Sequence, residues 1–203
     1  NLPLDFYGTL TQLATKHHKK FLLDTSGQTL KESLKYKPFF IKPNKDEIEQ
    51  LTGIKIDSLD TAILQIQKFQ NLGISMPVIS LGKNGSIIGY QNQIYHAIPP
   101  QYKAINAVGS GDAFVAGIAI GLKRNYPIID IIKLGSACGT ANVLEAESGF
   151  VSKDNVEKIF NLVEKEENFK YIYEDEDFIK EKIEKVAQKI YGAKDVEFSE
   201  TAT

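Results

Sequence analysis

Residues 106–114 read Asn-Ala-Val-Gly-Ser-Gly-Asp-Ala-Phe, a glycine-rich turn followed at once by an apolar stretch typical of a buried helix. Glycines let the backbone curl so that successive N–H groups point toward one position, and a helix N-terminus adds partial positive charge there. Such a turn can hold phosphate groups. Asp112 is unusual in a site that binds only anions, because its carboxylate repels phosphate unless it meets a metal ion or accepts a proton from an attacking hydroxyl. We therefore favour Asp112 as a base; the alternative, in which Asp112 only caps the helix, stays open.

The sequence on either side of this turn predicts an α/β fold. Short β-rich apolar runs alternate with helical stretches from residue 2 to about residue 160, the pattern of a largely parallel sheet covered by helices. The predicted strands are residues 21–24, 39–41, 77–81 and, with a weaker signal, 103–106. Residues 86–90 and 94–98 predict a hairpin around Gln91-Asn92, which adds antiparallel strands to the sheet. A helix is predicted between an N-cap at Ser58 and a stop at Gly73.

Two further helices are predicted after the turn. Residues 112–123 are apolar nearly all round, which favours a helix buried against the sheet. Residues 130–144 follow as a second helix rich in small residues: Gly135, Ser136, Ala137, Gly139 and Ala141. These allow another backbone or a flat ligand to approach closely, and the sequence favours neither explanation over the other.

Composition excludes several classes of function. The chain has 203 residues, of which 42% are hydrophobic, and its net charge is −2, so it has no basic excess to attract nucleic acid or an anionic membrane. Its apolar runs are too short for a bilayer span. The one cysteine, Cys138, forbids an internal disulfide and suits a reducing cytoplasm, where we expect the protein; a buried structural thiol is the favoured role for it. The adjacent His17 and His18 are expected at a solvated helix end.

Three more motifs follow predicted strands. Residues 42–47 read Lys-Pro-Asn-Lys-Asp-Glu, in which Asn44 and Glu47 have the spacing of a capping box and also of a pair that helps arrange hydrated Mg²⁺. Residues 80–85 read Ser-Leu-Gly-Lys-Asn-Gly, and residues 24–27 read Asp-Thr-Ser-Gly. Open α/β sheets bind ligands at the carboxyl ends of their strands, so four such turns together predict a ligand site.

These four motifs resemble those of the ribokinase-like (PfkB) carbohydrate kinases, in the same order and at similar spacing. The sequences around Asp24 and Lys42, and Asn rather than Asp at position 106, are most similar to the tagatose-6-phosphate kinase and 1-phosphofructokinase branch. The resemblance covers residues 1–163, and its first residues resemble the middle of the family's domain. It implies a ribokinase-like three-layer sandwich that is incomplete, without the N-terminal half and its β lid.

The resemblance also implies a function: ATP-dependent phosphorylation of a hydroxyl on a ketohexose phosphate. Asp112 would be the catalytic base, and the anion hole would be formed by Ala107, Val108, Gly109, Ser110 and Gly111. Asn44 and Glu47 would organise Mg²⁺. Ser80, Gly82 and Gly85 would line the nucleotide site, and Asn142 would lie beside the adenine.

Two alternatives come from other classes of function. The first is a non-catalytic nucleotide-binding fragment, or a half-domain completed by a second chain or by another copy of itself. The second is a scaffold related to formate tetrahydrofolate ligase, because residues 169–173 and 179–192 resemble a segment of that enzyme, although no folate or nucleotide motif accompanies them. A charged helix with accidental similarity explains the same residues equally well.

The composition changes near residue 164, after which charged residues dominate. We therefore predict two units, a kinase-like part over residues 1–163 and a charged helical appendage over residues 164–203. Asp177 is the expected N-cap of its last helix.

Overall fold

The computed structural model describes residues 3–163 and 169–173. The helices are α1 (Phe6–Lys16), α2 (Gly27–Leu34), α3 (Lys45–Thr52), α4 (Leu59–Asn71), α5 (Ser110–Lys123), α6 (Ile128–Asn142) and α7 (Lys153–Val163). The strands are β1 (Leu22–Leu23), β2 (Phe40–Ile41), β3 (Met76–Ser80), β4 (Ser86–Tyr90), β5 (Gln93–Ala97) and β6 (Phe169–Tyr173). A short 3₁₀ turn, Gly82–Asn84, separates β3 from β4.

The strands form one mixed sheet in the order β1-β2-β3-β4-β5-β6. The first three are parallel, and each later strand is antiparallel to the one before it. The three parallel strands have their carboxyl ends at the same edge of the sheet. The loops that follow them, and with them three of the four predicted motifs, therefore begin at that edge.

Helices cover both faces of this sheet, so the expected three-layer α/β arrangement is confirmed. Neighbouring residues of a strand point to opposite faces. Ile41 and Ile79 accordingly belong to the core beneath α2, α3 and α4, whereas Phe40 and Val78 belong to the core beneath α5 and α6. Because both faces are buried, the strands are apolar at consecutive positions instead of alternating with polar residues.

Close packing between α5 and α6 explains part of the small-residue stripe. A Cβ atom added to Gly117 would lie 2.7 Å from the carbonyl oxygen of Leu134, and one added to Gly135 would lie 2.7 Å from Cδ1 of Ile118. Such distances leave no space for a side chain. Close helix packing therefore accounts for Gly135, while Gly139 also lines the cleft described below.

Local signals in the sequence were reliable guides to most elements. The Ser58 side chain caps α4 through the N–H of Thr61. The hairpin between β4 and β5 turns at Gln91 and Asn92, both with positive φ, as a two-residue turn of the favoured kind requires. His17 and His18 lie at the exposed end of α1, as expected.

The structure corrects three secondary-structure expectations. Residues 103–106 are not a strand, because the N–H groups of Ile105 and Asn106 donate to the carbonyl oxygen of Val143 at the end of α6. Helix α5 buries only one side, and Ile120 on the other side is 43% exposed. Residues 169–173, expected within a helical appendage, form the strand β6, which pairs with β5.

The remaining part of the expected appendage, including the helix from Asp177, lies outside the described residues. The boundary between residues 163 and 164 stays a prediction. Among the described helices, none has the length and apolar character needed to cross a membrane.

Candidate active site

The turn at the start of α5 requires glycine at position 109. Gly109, the N-cap residue, has φ of 85°, in the left-handed region. A Cβ atom at this position would lie 2.5 Å from the backbone nitrogen of Gly149, so the turn lies directly against residues 148–149. The chain therefore needs glycine here both for its dihedral angle and for the close approach of a second backbone segment.

Hydrogen bonds within this turn decide which of its N–H groups are left for a ligand. The Val108 N–H donates to Asn106 Oδ1 at 3.0 Å, and the Ser110 N–H donates weakly to the carbonyl oxygen of Ala107 at 3.3 Å. In the part of the chain that the structure describes, the N–H groups of Gly109, Gly111 and Asp112 have no acceptor. The donors available to an anion thus include Asp112 and exclude Val108, which changes the set of residues 107–111 predicted from the sequence.

Asp112 lies in the first turn of α5, and its side chain is exposed. Its carboxylate makes no hydrogen bond to any described residue, so it does not cap the helix. The neighbouring residues Ser110 and Gly111 line a cleft, and Asp112 lies just outside that lining. The structure thus leaves the Asp112 carboxylate without a hydrogen bond among the described residues, one residue after the cleft lining.

The cleft has a volume of about 400 Å³ and contains most of the predicted site. Seven predicted residues line it: Asn44, Ser80, Gly82, Gly85, Ala107, Ser110 and Gly111. The apolar part of its wall includes Val78, Phe114 and Val143. Ligand sites commonly combine an apolar wall with a few polar groups, and this cleft has both.

Lys42 is the main residue whose position the sequence did not predict. Its ammonium lies 3.0 Å from Asp24 Oδ2, and the side chain is almost completely buried in the cleft wall. A Cβ atom on Gly111 would lie 3.1 Å from Lys42 Nζ, so the ammonium is adjacent to the turn. Its position directly after β2, as the first residue of the motif at residues 42–47, is the sequence signal that could have found it. The ammonium and the free N–H groups thus place hydrogen-bond donors at this end of the cleft, and Asp24 balances the charge of the ammonium.

Asn44 and Glu47 form the capping box of α3. The Glu47 N–H donates to Asn44 Oδ1 at 2.9 Å, and the Asn44 N–H donates to Glu47 Oε2 at 2.8 Å. Asn44 also forms a parallel bridge with Ser80 and lines the cleft, whereas Glu47 does not line it. The structural role is therefore present for both residues, and only Asn44 is within the cleft wall.

The loop after β3 is held in place by side-chain hydrogen bonds from residues further along the chain. His96 Nε2 donates to the carbonyl oxygen of Asn84 at 2.9 Å, and Gln101 Nε2 donates to that of Lys83 at 2.7 Å. Gly85 approaches β5 so closely that a Cβ atom would overlap the carbonyl oxygen of Ala97. Ser80, Gly82 and Gly85 thus form one firmly held wall of the cleft.

Asn142 does not line the cleft. Its side chain is completely buried, and its Nδ2 donates to the carbonyl oxygen of Phe150 at 2.9 Å. It thereby holds Phe150 against the end of α6. The expected direct contact with a nucleotide is not part of this arrangement; Thr140 and Val143, on either side of it, line the cleft instead.

The described residues do not favour a nucleophilic cysteine or a metal site formed by protein side chains alone. Burial raises the pKa of the Cys138 thiol, which disfavours the nucleophilic thiolate. The described residues contain no group of three or more His, Cys, Asp or Glu side chains that could hold a metal ion by themselves. A metal held jointly by the protein and by substrate phosphates does not need such a group.

Comparison with known proteins identifies the family. The model of the pfkB family carbohydrate kinases matches residues 1–188, which is most of the chain. The chain belongs to this family. The match reaches residue 188 and therefore includes part of the tail in which similarity to formate tetrahydrofolate ligase was noted.

Individual relatives agree with this assignment. The chain is 35% identical over 167 residues to a tagatose-6-phosphate kinase of Staphylococcus epidermidis, a match that covers 80% of this chain and 54% of that protein. Phosphofructokinase-2 from Escherichia coli, solved with potassium, is similar in structure with a TM-score of 0.75 and 25% identity, over 80% of this chain and 53% of that one. A ribokinase from Arabidopsis thaliana, solved with ribose and ATP, shares the fold at a TM-score of 0.69 and 19% identity, over 78% and 53%.

This pfkB-family chain spans about half the length of the curated relatives it matches. Expectations of the family, of the α/β fold and of the tagatose-6-phosphate kinase resemblance are thereby confirmed.

Proposed function

We propose that this chain carries the nucleotide-binding and phosphoryl-transfer part of an ATP-dependent kinase that phosphorylates a hydroxyl of a ketohexose phosphate. The observation that carries this proposal is the convergence of the motifs after β2 and β3 and the first turn of α5 on one cleft, which Asp24, after β1, joins through its ion pair with Lys42. The Lys42 ammonium and the free N–H groups of the turn are adjacent there, and Asp112, whose carboxylate has no partner among the described residues, directly follows Gly111 of the cleft lining. The 35% identity to a tagatose-6-phosphate kinase supports this substrate class.

Asp112 is assigned the base in this proposal. A carboxylate outside any hydrogen bond is free to accept the proton that a sugar hydroxyl loses as it attacks phosphorus. The N–H groups of Gly111 and Asp112 point from the start of α5, where the helix dipole favours negative charge. They stabilise charge on the phosphoryl group during transfer, and the adjacent Lys42 ammonium adds to this effect.

ATP and Mg²⁺ fit the cleft by its chemistry. The apolar lining residues Val78, Phe114 and Val143 suit a flat base, and the Lys42 ammonium in the same lining suits phosphates. Mg²⁺ usually keeps several waters and takes its other ligands from one or two carboxylates and the substrate phosphates, so the lack of an acidic cluster among the described residues agrees with it. Mg²⁺ held at this cleft would supply neutralisation of the phosphate charge. Asn44, in the cleft wall, is the residue we assign to orienting its water ligands, and Glu47 holds Asn44 through the capping box.

The direct test measures ADP release from MgATP by the purified chain with tagatose 6-phosphate, fructose 1-phosphate, fructose 6-phosphate and no sugar. We expect release to depend on one of the sugars and to fall by about 10²-fold to 10⁴-fold in Asp112→Asn, because the proton acceptor is lost. MgATP affinity should change little.

The matched control is Asp154→Asn, which removes an exposed carboxylate from the first turn of α7, away from the cleft. This variant should behave as the unmodified chain. Near-normal turnover by Asp112→Asn would remove Asp112 from the mechanism.

A second candidate function is favoured by the open side of the sheet. Strand β1 has only two residues, and among the described residues it pairs with β2 alone. A free parallel edge offers unpaired N–H and C=O groups to another strand. We infer that a half-domain completed by another polypeptide is the main alternative to independent catalysis.

A complementation experiment distinguishes independent catalysis by this chain from catalysis that needs a second polypeptide. The probe is the part of the Staphylococcus epidermidis tagatose-6-phosphate kinase that this chain does not span, added in excess to the purified chain. Sugar-dependent ADP release that appears only in the mixture would support completion. Release of the same size with and without the added polypeptide would support independent catalysis.

A further inference from the structure

Asn106, at the base of the turn, uses every hydrogen-bonding group of its side-chain amide except one lone pair. Its Oδ1 accepts the Val108 N–H at 3.0 Å. Its Nδ2 donates both to the carbonyl oxygen of Ala146 and to Ser148 Oγ, each at 3.1 Å. An amide has two N–H donors, so both are satisfied. One half-buried side chain thus joins the turn to a segment that is forty residues away in sequence.

The segment from Val143 to Gly149 is in direct backbone contact with this turn. The N–H groups of Ile105 and Asn106 donate to the carbonyl oxygen of Val143 at 2.7 and 3.3 Å. A Cβ atom on Gly109 would lie 2.5 Å from the Gly149 nitrogen. The two segments are therefore closely packed, and the Asn106 amide joins them by side-chain hydrogen bonds.

We propose that Asn106 is the positioning residue of the phosphoryl-transfer turn. Its Nδ2 fixes the turn against residues 146–149. Its Oδ1 takes the Val108 N–H away from the ligand, so the donors of the turn that have no acceptor among the described residues are the N–H groups of Gly109, Gly111 and Asp112. This inference rests on the proposed function, because it concerns the same turn.

The hydrogen-bond pattern requires an amide instead of a carboxylate. Aspartate at position 106 would keep the acceptor for the Val108 N–H and lose both donors. Its second oxygen would face the carbonyl oxygen of Ala146, so two acceptors would repel each other. A carboxylate of the same size should therefore displace the turn at least as much as complete removal of the side chain.

The experiment compares Asn106→Asp and Asn106→Ala with the unmodified full chain. Calorimetric titrations with MgATP and with MgADP give two affinities for each protein. The buffer contains tetramethylammonium as its monovalent cation, so that no sodium or potassium ion bridges the new carboxylate and the carbonyl oxygen of Ala146. Asn155→Asp is the matched control. It makes the same chemical change at a residue whose Nδ2 donates to Glu145 Oε1, at the outer end of the segment.

We expect Asn106→Asp to weaken MgATP binding about tenfold or more, the effect of losing one charge-assisted hydrogen bond to the terminal phosphate. MgADP, which lacks that phosphate, should lose clearly less affinity. Asn106→Ala should be no worse than Asn106→Asp, and Asn155→Asp should bind both nucleotides as the unmodified chain does. A residue that only stabilised the fold would lower the two affinities equally.

Two results would overturn the inference. If Asn106→Asp retains both affinities, or loses them in equal proportion, Asn106 does not position the turn, although the proposed kinase function stands. If the unmodified, folded chain binds neither nucleotide, the proposed function fails and the inference fails with it.

Discussion

Replacement of Gly109 by alanine tests the geometry of the turn most directly. Two costs follow from the structure. A residue other than glycine at φ of 85° costs about 1–2 kcal/mol, because its Cβ crowds the following carbonyl oxygen. The new Cβ would also lie 2.5 Å from the Gly149 nitrogen, so the two backbone segments must separate by about 1 Å to reach an ordinary contact. Overpacking of this kind typically costs about 1–3 kcal/mol more.

Gly53→Ala separates these two costs. Gly53 has φ of 72° as the C-cap residue of α3, and nothing lies within 4 Å of its Cβ position, so only the dihedral cost applies. For a domain of this size, 1 kcal/mol lowers the melting temperature by about 2–4 °C. We expect Gly109→Ala to melt about 2–12 °C below Gly53→Ala, and MgATP binding to weaken only in Gly109→Ala. The measurements are calorimetric melting and titration with MgATP. Equal melting temperatures together with unchanged MgATP affinity in both variants would refute the close contact between residues 109 and 149.

Three further predictions concern the cleft and the core. Lys42→Met should weaken MgATP binding about tenfold or more in titrations. It should destabilise the fold by at most about 1 kcal/mol, because the Asp24 carboxylate remains partly exposed to water. The control is Lys153→Met, which breaks an exposed ion pair with Glu157 and should bind MgATP normally. Asn44→Ala should lower the free energy of unfolding in urea by about 1 kcal/mol through loss of the α3 cap, and Asn44→Asp should restore it. An equal loss of stability in both variants would show that the cap does not cause the loss. Burial raises the pKa of the Cys138 thiol, so the thiol should be mostly protonated at pH 8. It should therefore react slowly with a disulfide reagent until guanidinium unfolds the chain. Rapid reaction of the native protein would contradict the burial of this thiol.

The sequence by itself determined the elements whose signals are local. The capping boxes at Asn44 and Ser58, the turn at Gln91-Asn92 and the glycine turn before α5 depend on residues within a few positions of each other. Apolar runs of the right length specified the parallel strands, because a strand buried on both faces needs no polar alternation. The order of the four strand-end motifs was enough for the family resemblance.

Only the tertiary structure decided which groups in these motifs are available to a ligand. Residues 103–106 have the composition of a strand, but the end of α6 satisfies their N–H groups. Asn142 lies in sequence between two residues that line the cleft, Thr140 and Val143. Its polar side chain is nevertheless buried and donates to the carbonyl oxygen of Phe150, so it is not part of the cleft wall. Lys42 lies beside Gly111, about seventy residues further along the chain, only because β2 and α5 meet at one edge of the sheet. Contacts between distant residues depend on how the layers pack, and no local pattern records them.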